Sequence, residues 1–183
     1  MATFYDALDE KLTEFIKAQQ VFFTASAAPT GRINLSPKGM DTFRCINNKQ
    51  VIYLDLTGSG NETAAHLAQD SRITLMFCSF AKQPLILRIY GTGQVIRPND
   101  VAWGQYSSPF DLVAGARQLI LIDIYSVQTS CGYAVPISDG LTERDTLKRW
   151  AENKGEAGIK AYWQEKNQIS IDGFKTHLLE DES

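Results

Sequence analysis

Six runs dense in Ile, Val, Leu, Tyr and Phe follow one another through the first 127 residues with almost no helix between them: 21–26, 32–37, 50–55, 72–79, 85–97 and 117–127. β-Branched and aromatic side chains suit half-buried pleated surfaces. The breaks fall where Pro and Gly supply turn geometry, as in Ala28-Pro29-Thr30-Gly31. A parallel, doubly wound sheet needs a helix after nearly every strand, whereas here one short helical stretch, residues 62–69, follows the Gly-rich turn at 57–61. The spacing therefore predicts a mainly β domain with flanking helices, built as a six-stranded antiparallel Greek-key barrel.

Both flanks read as helical. Phe4, Leu8, Leu12, Phe15 and Ile16 recur at helical spacing over residues 3–19, with Thr3 placed to cap the first turn. Beyond Val127 the strand pattern breaks at Cys131-Gly132-Tyr133 and Pro136, and residues 141–153 and 156–167 are charged and helix-prone. Trp150, Tyr162 and Trp163 would be exposed on a free helix, which predicts docking on the barrel or on a partner subunit. The chain thus divides into a barrel with its N-terminal helix, residues 1–130, and a helical C-terminal extension, residues 131–183.

Charge and cysteine usage narrow the partners. Eighteen basic against twenty-one acidic side chains give a net charge of −3, which offers no global attraction to nucleic acid. The apolar stretches are far below the roughly 20 residues that span a bilayer, and residues 1–10 are acidic, unlike an export signal. Cys45, Cys78 and Cys131 are odd in number and widely spaced, which suits reduced thiols and a cytoplasmic setting.

Two segments could carry chemistry. In Gly58-Ser59-Gly60-Asn61, free backbone N–H groups at a helix start favour a phosphate, although such a turn is commonly only a connector. It lacks the Lys of a nucleoside-triphosphate loop and the spacing of the dinucleotide fingerprint. In residues 34–39, Asn34, Ser36 and Lys38 fall on one face of an extended chain, which on spacing alone reads first as the solvent face of an edge strand interrupted by Pro37. Arg88 and Arg117 are strand guanidiniums able to clamp an anion or to sit in a structural ion pair. With His66 and His177 far apart and no carboxylate or thiol at ligand spacing, neither a zinc site nor a Ser-His-Asp triad is supported.

Taken in order, the strand ending at Lys38-Gly39, the strand at 51–56 running into Gly60-Asn61 and a helix, the strand at 72–77 and the run Arg88-Ile89-Tyr90-Gly91 resemble the flavin-binding split barrel of the pyridoxamine 5'-phosphate oxidase superfamily over roughly residues 12–130. The flanking segments 130–136 and 143 through 173 resemble an oxidase-related branch of it. The resemblance implies a homodimer with FMN in a cleft between subunits, its phosphate near Gly58, Ser59, Gly60, Asn61 and Thr63 and its ring near Asn34, Ser36 and Lys38. Relatives that hold haem or the deazaflavin F420 imply those cofactors as alternatives, and a non-catalytic binding or sensing role as the alternative to a flavin oxidoreductase. Two departures stand out. Glu62-Thr63 occupies the place of an Arg-Lys pair, so that Lys38, then Arg88, is the expected compensating cation. The C-terminal Arg-x-His substrate motif is missing, which argues against oxidation of pyridoxamine phosphate itself.

Overall fold

In a computed structural model the described residues are 2–180; residue 1 of the opening segment and residues 181–183 of the C-terminal extension lie outside them. The elements run β1 (Thr3–Tyr5), α1 (Glu10–Lys17), β2 (Phe22–Ser26), β3 (Asn34–Lys38), β4 (Phe43–Asn47), β5 (Gln50–Leu56), α2 (Glu62–Leu67), β6 (Arg72–Cys78), β7 (Ile86–Ile96), α3 (Trp103–Ser107), β8 (Ala116–Ser130) and α4 (Thr146–Lys166). All pairings among these strands are antiparallel, in the order β3-β2-β6-β7-β8-β5-β4, with β1 alongside the distal half of β8.

That order forces the sheet to curl. β3 and β4 stand at its two ends, and at about 4.8 Å per strand a flat sheet would hold them roughly 29 Å apart. Only residues 39–42 join them, a reach of at most roughly 18 Å. The two edges must therefore meet, and the barrel closes at a seam where side chains, rather than ladder bonds, cross from β3 to β5.

The interior is filled by alternate residues of the strands and by α1. Phe22, Val51, Tyr53, Leu75, Phe77, Leu87, Ile89, Ile120 and Ile122 form the core with Leu8, Leu12 and Ile16 beneath them. The intervening residues Ile52, Leu54, Leu119 and Leu121 are buried too, against Phe110 and the α3 segment. β5 and β8 are covered on both faces, which is why they read as continuous apolar runs rather than as alternation. β8 bends at an irregularity opposite Tyr90 and Gly91. A Cβ at Gly91 would lie 2.4 Å from Ile122 Cγ2 and 2.5 Å from the Asp123 carbonyl, so the crossing requires glycine there.

There are eight strands where the sequence suggested six. The opening helix does not begin at Thr3: Thr3–Tyr5 pairs with residues 127–129 of β8, and Asp9 caps the helix by accepting from the Leu12 N–H at 2.8 Å. A carboxylate at the N-cap, followed by Glu10, competes better for this end than a threonine six residues earlier. β4 escaped notice because Arg44 and Asn47 dilute its apolar content and it pairs irregularly along one edge. The two expected C-terminal helices are both present, meeting at the non-helical Gly155 (φ 65°) within the stretch labelled α4, and residues 141–145 stay outside the first of them.

Candidate functional site

β5 carries one acidic residue in an otherwise apolar run, Asp55, and β8 places Gln118 opposite it and Arg117 beside it. Folding buries all three. Asp55 accepts from Lys38 Nζ at 2.8 Å, from Arg117 Nε and Nη2 at 3.0 and 2.7 Å, and from Gln118 Nε2 at 2.9 Å. Burial alone would push the Asp55 carboxyl up, but the Arg117 guanidinium and the Lys38 ammonium outweigh it and hold it well below the usual carboxylate range. Burial likewise opposes the charge on Lys38, and Asp55 more than restores it, so the ammonium is raised above its ordinary value. Lys38 also lies over the Tyr53 ring, 5.8 Å from its centroid. This cluster crosses the seam and forms the floor of a cavity of about 680 Å³.

One wall of the cavity is the polar face of β3. Ser36 Oγ donates to Asn34 Oδ1 at 3.0 Å, and Asn34 Nδ2 donates to Thr63 Oγ1 at 3.1 Å, tying the strand to the first turn of α2. The opposite wall is the Gly58–Asn61 turn. Its carbonyls are held from behind: Arg117 Nη1 donates to the Gly60 oxygen at 2.9 Å and Asn167 Nδ2 to the Gly58 oxygen at 3.2 Å. The backbone N–H groups of Gly58, Ser59, Gly60 and Asn61 donate to nothing among the described residues. Asn61 is buried, its Oδ1 accepts from Gln118 at 2.7 Å, and its Nδ2 has no partner. A buried amide donor without an acceptor is costly, and an anion in this cavity would relieve it.

The third wall comes from beyond α4. Asn167 is fully buried, accepts from Arg117 at 3.0 Å, and is followed by a strap whose Ile169, Ser170 and Ile171 line the cavity. The Ile171 N–H donates to both carboxylate oxygens of Glu62, at 3.1 and 3.2 Å, and Asp172 accepts from the Arg32 backbone N–H at 2.7 Å and pairs with its guanidinium. α4 itself is fastened by Trp163 Nε1, which donates to Thr57 Oγ1 at 2.8 Å. A second cavity of about 750 Å³, bordered by Val21, Met40, Leu147 and Trp150, adjoins the first at Pro37 and Lys38.

Of the residues singled out from sequence, Asn34, Ser36, Lys38, Gly58, Ser59, Gly60, Asn61 and Thr63 line this one cavity. Arg88 does not. It sits on β7 opposite Met76 and Gln128 and bonds Ser130 Oγ at 3.2 Å, while Arg117 takes a place in the cavity wall. Asp55, Gln118 and the 166–171 segment went unrecognised. The first two had a readable signal: a lone carboxylate in one apolar strand and an Arg-Gln pair in another are partners waiting for each other. The strap had none, since its contacts span more than a hundred residues of sequence.

A family model described as pyridoxamine 5'-phosphate oxidase matches residues 8–131. A pyridoxamine 5'-phosphate oxidase family protein of Aspergillus flavus, ustO, is 38% identical over 194 residues, an alignment covering 95% of this chain and 77% of that protein. Among solved structures, HupZ of Group A Streptococcus matches with a TM-score of 0.54 at 16% identity, covering 67% of this chain and 98% of the other. A candidate pyridoxamine 5'-phosphate oxidase of Lactobacillus delbrueckii matches with the same TM-score at 15% identity, covering 67% and 94%. At such identities the likeness is one of fold.

Proposed function

The chain belongs to the pyridoxamine 5'-phosphate oxidase family, and from that premise we propose that it is an FMN-binding flavoprotein, a homodimeric oxidoreductase holding the cofactor in the seam cavity. The observation that carries this reading is the unpartnered Nδ2 of buried Asn61 beside four free N–H groups of the Gly58–Asn61 turn. Together with the Ser59 and Thr63 hydroxyls they form a set of donors suited to phosphate oxygens. The polar face of Asn34, Ser36 and Lys38 meets the remainder of the ligand. FMN, once bound, supplies hydride or electron transfer.

The chain's own residues bind and orient. Asp55 fixes Lys38 and Arg117, Arg117 fixes the turn carbonyls, and the turn N–H groups are thereby left for the ligand. The Lys38 ammonium stays charged beside the cavity because Asp55 outweighs its burial. A substrate with an apolar body fits the adjoining cavity beside Leu147 and Trp150. The lack of the Arg-x-His motif in the sequence argues against pyridoxamine phosphate as the substrate.

Exposed apolar side chains around the site support a partner subunit. Ile33 and Leu35, on and beside the edge strand β3, are 77% and 65% exposed, and Ile169 and Ile171, which line the cavity, are 57% and 70% exposed. Two such residues at the cavity rim and two on the outer side of the β3 edge support a surface that another chain covers. Light scattering at low micromolar concentration is expected to read twice 20.4 kDa. The absorption spectrum and mass of whatever copurifies test the cofactor: flavin bands with the mass of FMN support the reading, whereas a Soret band assigns haem and a deazaflavin mass assigns F420.

A further inference from the structure

The charged groups of the seam cavity do not suffice for a phosphate on the barrel side alone. Lys38 and Arg117 are the cations there, Asp55 and Glu62 the carboxylates, and all four line the cavity. Two positive and two negative groups leave no net charge, while a phosphate monoester brings close to two negative charges at neutral pH. Lys38 and Arg117 are in addition committed to Asp55 by direct bonds. The remaining ionisable side chain in the lining is Lys166, at the last residue of α4. Its partner is the adjacent Glu165, at 2.7 Å in an exposed pair, which is weak and readily exchanged.

The strap that follows Lys166 is fastened across the whole turn. Asn167 holds it to Gly58 at one end and the Ile171 N–H holds it to Glu62 at the other, with Asp172 locked to Arg32 just beyond. Glu62, at the start of α2, is therefore an acceptor for the strap backbone. Its carboxylate receives an N–H from the C-terminal segment instead of facing the cavity unpaired.

We propose, resting on the FMN reading above, that residues 166–171 are a phosphate lock. Lys166 neutralises a terminal phosphate monoester seated on the Gly58–Asn61 turn, and the strap bars ligands that extend beyond that phosphate. The cofactor class is thus a flavin ending in a monophosphate, in preference to a dinucleotide or a cofactor with a chain beyond its phosphate. Glu62 and the C-terminal extension are two halves of one device: the carboxylate fastens the segment that brings the Lys166 ammonium to the cavity.

Flavin fluorescence titrations of the apoprotein with FMN, riboflavin and FAD test this, together with protease sensitivity of the strap in the presence of each. Lys166→Ala is expected to weaken FMN about tenfold and to leave riboflavin unchanged, and Lys166→Arg to restore FMN. Asp172→Ala, outside the cavity lining, is expected to weaken FMN by about threefold, because FMN must then order the strap, and to raise FAD affinity about tenfold. It is also expected to expose the strap to protease until FMN is added. Unchanged FMN affinity in Lys166→Ala, or an unchanged FMN-to-FAD ratio in Asp172→Ala, overturns the lock. Wild type that takes up riboflavin as tightly as FMN overturns the lock and leaves a flavin pocket standing, whereas wild type that takes up none of the three overturns the proposed function with it.

Discussion

The two sides of the cavity are held in place by different physics. The barrel side is set by a continuous core and by ladder bonds along seven paired edges, with the ionic cluster of Asp55 sealed inside it. The C-terminal side is attached more sparsely: it buries Ala151, Ile159 and Leu178, is bonded through Asn167, Trp163, Ile171 and Asp172, and leaves Ile169 and Ile171 largely exposed. One wall cannot shift without unfolding the domain. The other can loosen locally, because the free energy of opening a segment follows its buried contacts. The family model's match ends at residue 131, before the second wall, while the alignment with the Aspergillus flavus protein covers 95% of the chain.

The sharpest way to break the contrast is at Asp55. Asp55→Asn leaves two buried cations without their counter-charge, and removal of one partner from such a cluster costs about 3 to 5 kcal/mol. Urea unfolding is expected to show that loss over the whole domain, while Asp172→Asn leaves the unfolding midpoint where it was. The same carboxylate sets an acid limit. Its folded value is depressed, so its contribution is complete above the unfolded value of about 3.9 and is lost as the pH falls below that. Wild-type stability should decline from about pH 4 downward, and Asp55→Asn should lack that part of the decline.

Asn167 is the joint between the two walls. Asn167→Leu keeps its size but strands an Arg117 N–H and frees the Gly58 carbonyl, at a cost of about 2 to 3 kcal/mol. Hydrogen exchange is expected to speed up in residues 163–176 and at the Gly58 turn, with the core strands unaffected. A smaller effect follows at Gly155, whose φ of 65° and ψ of 171° suit glycine alone. A Cβ there meets nothing within 4 Å, so Gly155→Ala costs only backbone strain, about 1 to 2 kcal/mol, confined to α4.

The same division decides what was legible in the sequence. Strand content, antiparallel pairing and the grouping of Asn34, Ser36 and Lys38 on one face rest on local period and turn chemistry and are found in the structure, but that face lines the cavity where spacing alone reads solvent. β1 was lost because three residues of strand lie inside a helical spacing, and the helix start moved to Asp9 because a capping carboxylate is a stronger signal than the first apolar residue. Arg88 and Arg117 look alike in sequence. Only the curl of the sheet, which brings β3 against β5, decides that the guanidinium beside Asp55 reaches the cavity and the one on β7 does not. The strap was invisible, since Asn167 meets Gly58 across 109 residues through backbone and amide groups that carry no sequence pattern.

In the proposed function, the N–H groups of the Gly58–Asn61 turn and Asn61 Nδ2 receive the phosphate of a flavin mononucleotide. Two-dimensional 15N NMR of the apoprotein titrated with FMN, and separately with riboflavin, reads those groups one by one. The account expects FMN to move the signals of Ser59, Gly60 and Asn61, including the Asn61 side-chain amide, and riboflavin to leave them in place while both ligands move Asn34 and Lys38. Saturating FMN that leaves the Ser59 to Asn61 signals unshifted would contradict it.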